Sequence, residues 1–110
     1  MLERWELEDL IASWTLDEED WLLLANKTGA SRLGFALLLK FFDLEARFPV
    51  GASELPAAVV DFVAGQVKVP AGELAGYVWD GRTIKYHRAQ IRADRGFREA
   101  TREDERRMIG

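Results

Sequence analysis

Apolar residues recur at intervals of three and four along most of this chain, which is the period of an α-helix. A first helix is predicted over residues 2–13, where one side carries the apolar residues Leu7, Leu10, Ile11 and Trp14. Thr15 and Glu18 fit a capping box, in which the hydroxyl caps the first turn and the carboxylate reaches back to its start. The pattern predicts a second helix from this box to about Lys27, with Gly29 suited to its C-cap.

The third predicted helix runs from a cap at Ser31 to about Leu44 and is apolar on nearly all of its faces. Such a helix is typical of a buried position, so we expect it at the centre of the fold. Gly34 lowers its helix propensity by up to about 1 kcal/mol. We expect the close approach of a neighbouring helix to explain this glycine.

Two prolines mark the starts of the next predicted helices. Pro56 suits a first helical position, and the residues after it form an apolar stripe at helical spacing, namely Val59, Val60, Val63 and Val67. Residues 47–53, before this helix, are predicted to be a loop. Pro70 is predicted to open a short fifth helix that ends near Trp79.

The junction at residues 78–86 has two interpretations. An Asp-Gly pair within it suits the turn of a β-hairpin, which would form a winged element. Against this, Thr83 suits a helix N-cap, and the residues that follow contain no helix breaker. We favour a helix from Thr83 to about Arg95, stopped by Gly96, with one more helix start near residues 101–104.

These elements predict an all-α fold, a compact bundle of six to seven short helices that is helix-turn-helix-like in its C-terminal half. The 110 residues suit one domain. Hydrophobic residues make up 48% of the chain, which is enough for a core. We therefore expect residues 1–110 to form a single helical domain. The last predicted helix is cut short, so we expect the chain to be a fragment of a longer protein.

Composition argues against most enzyme and metal sites. The chain has no cysteine, which removes disulfides, zinc–thiolate sites and thiol nucleophiles, and its only histidine is His87. There is no glycine-rich phosphate loop and no apolar run near the roughly 20 residues that span a bilayer. The acids at residues 17–20 could hold a hard cation, but in a first helical turn they also favour the helix dipole. We expect no enzyme activity, no cofactor, no metal and no membrane partner.

Charge is strongly segregated along the chain, whose net charge is -4. Residues 1–20 carry eight acids and one base, whereas residues 82–98 carry six bases and one acid. At about 100° per residue, the basic residues of the last helix would form one stripe, comprising Lys85, Arg88, Arg92 and Arg95. Such a stripe suits a nucleic-acid backbone. Pairing of the acidic start with the basic end is the other explanation of the asymmetry.

The chemistry of the basic helix favours nucleic acid over other partners. Arginine presents a planar fork that matches phosphate or the edge of guanine, and Gln90 on the same helix can read adenine. Tyr86 can pack or bind a phosphate, and the free N–H groups at the helix start near Thr83 suit another. A protein–protein interaction or oligomerisation module is the alternative.

Three strings of the sequence, in order, resemble the N-terminal domain of the transposases of class II replicative transposons, the Tn-three type. They are RLGFALLLKFF at residues 32–42, ELPAAVVDFVA at 54–64, and GRTIKYHRAQIR at 81–92 followed by GFRE at 96–99. The resemblance covers nearly the whole chain. It implies a bacterial protein of the cytoplasm and nucleoid whose N-terminal region binds double-stranded DNA at the terminal inverted repeats of its transposon.

The same resemblance implies a metal-dependent catalytic core far downstream, outside these residues, and makes the downstream domains of the transposase expected partners. Arg95 departs from the family, which usually has an apolar residue there. The matched motif positions on the basic helix are Arg82, Tyr86, His87, Arg88, Gln90, Arg92 and Arg98. The full set of predicted DNA-binding residues is Arg32, Arg82, Thr83, Lys85, Tyr86, His87, Arg88, Gln90, Arg92, Arg95 and Arg98.

Overall fold

The computed structural model describes residues 5–109 and, within them, the side chains of residues 5–96. Over these residues the fold is all-helical, which confirms the predicted class, and the β-hairpin considered for residues 78–86 is absent. Five α-helices and two 3-10 helices follow one another: α1 (Leu7–Trp14), α2 (Glu18–Leu24), α3 (Gly29–Glu45), η1 (Ala52–Glu54), α4 (Ala57–Val67), η2 (Ala71–Gly76) and α5 (Arg82–Ile109).

The chain divides between Trp79 and Asp80 into two units. The first contains α1 to η2, and the second contains α5. The connection from α4 to α5, residues 68–81, contains η2 and is longer than the three- or four-residue turn of a helix-turn-helix motif. The chain length predicts that residues 1–110 fold cooperatively as one domain, and this stays a prediction.

Helix α3 is the centre of the first unit, as its apolar sequence predicts. Every residue from Leu33 to Phe41 is buried, and the helix packs against α1, α2, α4 and η2. The prediction of a close neighbour at Gly34 is also confirmed, because a Cβ there would overlap the ring of Tyr77, which ends η2. The glycine therefore lets an aromatic ring lie directly on the backbone of the central helix.

The predicted caps of α2 and α3 are shifted by a few residues. Asp17, not Thr15, is the N-cap of α2, and its carboxylate accepts a hydrogen bond from the backbone N–H of Asp20 at 2.9 Å. The Thr15 hydroxyl instead donates to the carbonyl of Ile11. Gly29, predicted as a C-cap, is the first residue of α3 with a positive φ of 56°. The glycine thus serves the start of the third helix rather than the end of the second.

A buried ion pair joins α2 to α3. The Lys40 ammonium lies 3.0 Å from a carboxylate oxygen of Asp20, whose side chain is completely buried, and 3.5 Å from Asp43 on the same helix. The same carboxylate oxygen of Asp20 accepts the backbone N–H of Asp17. Asp20 therefore completes the cap of α2 and neutralises a lysine on the otherwise apolar central helix.

Helix α4 begins one residue later than predicted, with Pro56 as its N-cap. The short helix predicted after Pro70 is a 3-10 helix that ends at Gly76, three residues before the predicted end. Residues 47–53, predicted as a loop, include the start of η1. The turn is closed by Arg47, whose guanidinium lies 2.7 Å from Glu54.

Helix α5 corrects the predicted C-terminal helices. It begins at Arg82, after a Gly81 with a φ of 118°, so Thr83 lies inside the first turn and is not the cap. It continues through Gly96 to Ile109, where two shorter helices were predicted. A lone glycine within a helix costs only about 0.5–1 kcal/mol relative to alanine, which the helix-forming residues on both sides offset.

Candidate nucleic-acid interface

The described side chains of α5 divide the helix into a buried and an exposed side. Ile84, His87, Ile91 and Arg95 are buried, at spacings of three and four that mark one helix face. Ile84 and Ile91 are 1% and 0% exposed, so they anchor this face as apolar core. The opposite face is open to solvent and begins with the exposed Arg82.

The predicted basic stripe lies along the border between these two sides. Lys85 and Arg92 are exposed, Arg88 is half-buried and Arg95 is 8% exposed. At about 100° per residue these four positions fall within roughly a quarter of the helix circumference, so the stripe is continuous but its outer members are the accessible ones. Together with Arg82, Lys85, Arg88 and Arg92 form what we call the basic flank of α5.

The one acid among residues 82–96 does not interrupt the basic flank. Asp94 is half-buried, and one of its carboxylate oxygens lies 2.6 Å from the guanidinium of Arg95. At about 100° per residue, Asp94 falls on the side of the helix away from Lys85 and Arg92. The carboxylate of Asp94 therefore lies off the basic flank.

Three other predicted contact residues lie beyond Arg82, on one side of the flank. Tyr86 is 65% exposed, Thr83 is exposed in the first helical turn, and Gln90 is half-buried. Thr83 does not cap the helix, but it stands beside the first-turn N–H groups that were predicted to bind phosphate. Arg98 lies in the part of α5 whose side chains fall outside the described residues.

Two predicted contact residues, His87 and Arg95, belong to the buried side of α5, with 4% and 8% exposure. Arg95 stands where the resembled family usually has an apolar residue, and its burial with an intramolecular carboxylate partner fits a packed position. Neither placement favours contact with a phosphate backbone, so we leave both residues out of the interface proposed below.

Arg32 lies in the first unit and is engaged with the ends of helices. Its guanidinium donates to the carbonyls of Val67, Leu24 and Lys27 at 3.2, 3.4 and 3.3 Å, and it stacks over the ring of Trp21. The carbonyls of Leu24 and Val67 belong to the last residues of α2 and α4, where they have no partner within the helix and favour a cation. This network gives Arg32 a structural role that the spacing of residues in the sequence does not reveal.

The acids considered for a cation site have other partners. Asp17 caps α2, and Asp20 pairs with Lys40. Among the described residues, no group of three or more His, Cys, Asp and Glu side chains could hold a metal ion. In the part of the chain that the structure describes, no helix combines the length and the apolarity needed to cross a membrane.

The sequence analysis did not reveal that most lysines and arginines of the first unit have partners within the fold. Residues 5–79 contain twelve acids and only five bases. Lys27 is buried, and its ammonium donates to the Leu23 carbonyl; burial lowers its pKa. Lys40, Arg32 and Arg47 have the partners described above, and the exposed bases among the described residues of this unit are Arg47 and Lys68. The accessible charge of the first unit is therefore almost entirely negative.

Comparison with known proteins identifies the family of the chain. No solved structure matches it. Residues 2–110 match the family described as a domain of unknown function, DUF4158. Because the match spans almost the whole sequence, the protein belongs to the DUF4158 family.

Proposed function

We propose that this chain is the DNA-binding domain of a bacterial transposase and that it recognises the terminal inverted repeats of its transposon on the nucleoid. One observation carries the proposal: the exposed cations of the described chain are concentrated on the basic flank of α5. The resemblance of residues 32–42, 54–64 and 81–99 to Tn-three-type transposases supports the same reading. Catalysis then belongs to domains downstream, which are the expected partners of this one.

The basic flank suits the phosphate backbone of a duplex. Arg92 lies ten residues after Arg82, or about 15 Å along the helix at 1.5 Å per residue. Each cation that neutralises a phosphate releases condensed counterions, so binding should weaken linearly in a log–log plot against salt. The negative first unit is repelled by the duplex, which favours docking through α5 rather than through α1 or α2.

Base reading falls to half-buried side chains of α5. Arg88 and Gln90 are half-buried, so their position is restrained by the helix around them. Arginine pairs with guanine and glutamine with adenine through two hydrogen bonds each, worth about 1–3 kcal/mol of discrimination. We therefore assign phosphate binding to Lys85 and Arg92, and base reading to Arg88.

The test is a fluorescence-anisotropy titration with the terminal repeat of the transposon and with a scrambled duplex, over a series of salt concentrations. Lys85→Gln and Arg92→Gln should each reduce the slope of log K against log salt by about 0.9, on both duplexes. Lys68→Gln is the matched control, because it removes an exposed lysine outside α5. It should leave the slope unchanged.

Arg88→Ala should instead reduce the preference for the terminal repeat, by about 1–3 kcal/mol, with less effect on the scrambled duplex. If the double variant Lys85→Gln/Arg92→Gln stays folded by circular dichroism and binds with unchanged affinity and slope, the basic flank is a solvated surface. The proposed function is then wrong.

A protein interaction module is the second candidate, and one observation favours it. Leu7, Ile11 and Leu22 are 65%, 52% and 76% exposed on the first two helices. Large apolar side chains that remain exposed on a short helix are typical of surfaces that another protein covers. This role is compatible with DNA binding through α5.

A further inference from the structure

Helix α1 carries apolar residues on two sides, one of them buried and the other exposed. Leu10 and Trp14 are buried. Leu7 and Ile11, one turn apart, stay 65% and 52% exposed, and the exposed Glu8 lies next to them. We call Leu7, Glu8 and Ile11 the outer face of α1. It combines an apolar ridge with negative charge.

A partner for this face must be apolar and basic at once. The exposed side of α5 has that composition: Tyr86, 65% exposed, lies beside Arg82 and Lys85. An aromatic ring can cover the Leu7–Ile11 ridge while a neighbouring lysine reaches Glu8. Leu7, Ile11 and Tyr86 are each more than half exposed.

We propose that the outer face of α1 binds the exposed side of α5 in a second copy of this chain. Tyr86 and Lys85 make the main contacts. The two faces differ, so the contact is heterologous, and a pair of copies keeps one free face of each kind, on different copies. Association of this type grows into open chains as protein concentration rises. Where DNA occupies the basic flank, the same cations are no longer accessible, so DNA releases the copies from one another. Only this release depends on the proposed function.

Salt dependence and mass test the association. In sedimentation velocity at about 50 mM salt, where charges are screened only weakly, the weight-average mass should rise with protein concentration above the 12.5 kDa of one chain. At about 500 mM salt, where the screening length is only about 4 Å, it should return to that of one chain. A mass of one chain at every salt and concentration overturns the proposal, as does association that does not respond to salt.

A charge reversal identifies the two faces. Glu8→Lys and Lys85→Glu should each reduce self-association at low salt at least several-fold, because each places like charges opposite one another. A mixture of the two variants restores opposite charges and should recover the mass of the unaltered protein. Lys68→Glu is the matched control and should still associate. If the mixture stays as dissociated as its components, these faces do not bind each other.

The same variants separate this proposal from the proposed function. Glu8→Lys lies outside the basic flank, so it should lose self-association while keeping its selectivity for the terminal repeat. Ile11→Ser gives a second variant of the same face that leaves the charge unchanged and should also dissociate. If self-association is intact but no variant affects DNA binding, the DNA proposal fails and the self-association proposal stands. If Glu8→Lys and Ile11→Ser both associate like the parent, the self-association proposal fails alone.

Discussion

Cations of the first unit are held by the fold itself. Lys40 neutralises Asp20, Arg32 binds the carbonyls that end α2 and α4, and Arg47 closes a turn through Glu54. Burying such a charge with its partner and hydrogen bonds avoids the large cost of an unpaired buried charge. At the surface of the first unit, exposed acids therefore outnumber the exposed bases, Arg47 and Lys68. The proposed attraction of a polyanion therefore falls to α5.

At Gly34 the packing of the core leaves no room for a side chain. A methyl group there would overlap the ring of Tyr77. We expect Gly34→Ala to lower the free energy of unfolding by about 1–3 kcal/mol, the usual cost of overpacking a core, measured by urea denaturation.

Gly65 is the matched control for this prediction. It lies in α4, and no atom lies within 4 Å of where its Cβ would be. Gly65→Ala should stabilise the protein by about 0.5–1 kcal/mol, because alanine loses less backbone entropy in a helix. A Gly34→Ala variant as stable as the parent would mean that the Tyr77 ring moves aside without cost.

At the level of elements, the apolar pattern predicted the existence of the helices better than their ends. Helix α3 is apolar all round, and no arrangement other than a central one buries all of its faces. Its start was misplaced because Gly29 and Thr28 suit a helix end as well as a helix start. Gly96 was predicted to stop a helix, but a single glycine is too weak a breaker without a proline or a cap beside it.

In the candidate site, the alignment of the basic residues was predictable from the sequence, but their burial was not. Spacing alone placed Lys85, Arg88, Arg92 and Arg95 on one side of α5. It did not show that Arg95 is buried, because the buried face of a helix depends on its surroundings as well as on its sequence. The pairing of Asp20 with Lys40, twenty residues apart, has no local signal at all.

The turn between α3 and α4 should respond to acid. Hydrogen bonds from the Arg47 guanidinium and from the backbone N–H of Val50 hold the pKa of Glu54 below its usual 4.5. A carboxyl whose pKa is lowered by folding stabilises the folded state above its unfolded pKa, and this contribution is lost as pH falls through the folded value. We therefore expect the stability of the protein to decrease below about pH 4.5 in part through Glu54.

Urea denaturation between neutral pH and about pH 3 tests this, with Glu54→Gln beside the parent. The variant should be less stable than the parent at neutral pH, and the difference should vanish at acid pH. Glu73→Gln, an exposed carboxylate without a hydrogen bond from Arg47, is the control. A difference between Glu54→Gln and the parent that persists at acid pH would show that the ionised carboxylate is not what closes the turn.

For the molecule as a whole, the organising feature is the separation of charge between a negative first unit and a positive start of the second. A net charge of -4 hides this separation.

Phosphoryl transfer by metal-dependent nucleases needs carboxylates that converge on metal ions. Here the described carboxylates are spread over the surface or paired, and no group of three converges.

We therefore expect the isolated chain to show no nuclease or strand-transfer activity on supercoiled plasmid, with or without magnesium or manganese. Gel electrophoresis of the plasmid after incubation is the measurement. Metal-dependent cleavage that Asp17→Asn abolishes would contradict the prediction. Cleavage that persists in that variant and in Glu18→Gln would point to a contaminating enzyme.

His87, the one histidine of the chain, lies on the buried side of α5, while the basic flank lies on its open side. Its imidazole therefore gives the single histidine Hε1–Cε1 pair of resonances of the chain, which the carbon shift separates from those of the other aromatic rings. A ligand that touches only the open side should leave this pair nearly unmoved, whereas a rearrangement of the helix should displace it. His87 is therefore an internal probe on α5, the helix where recognition is proposed, and it is observed without an attached label.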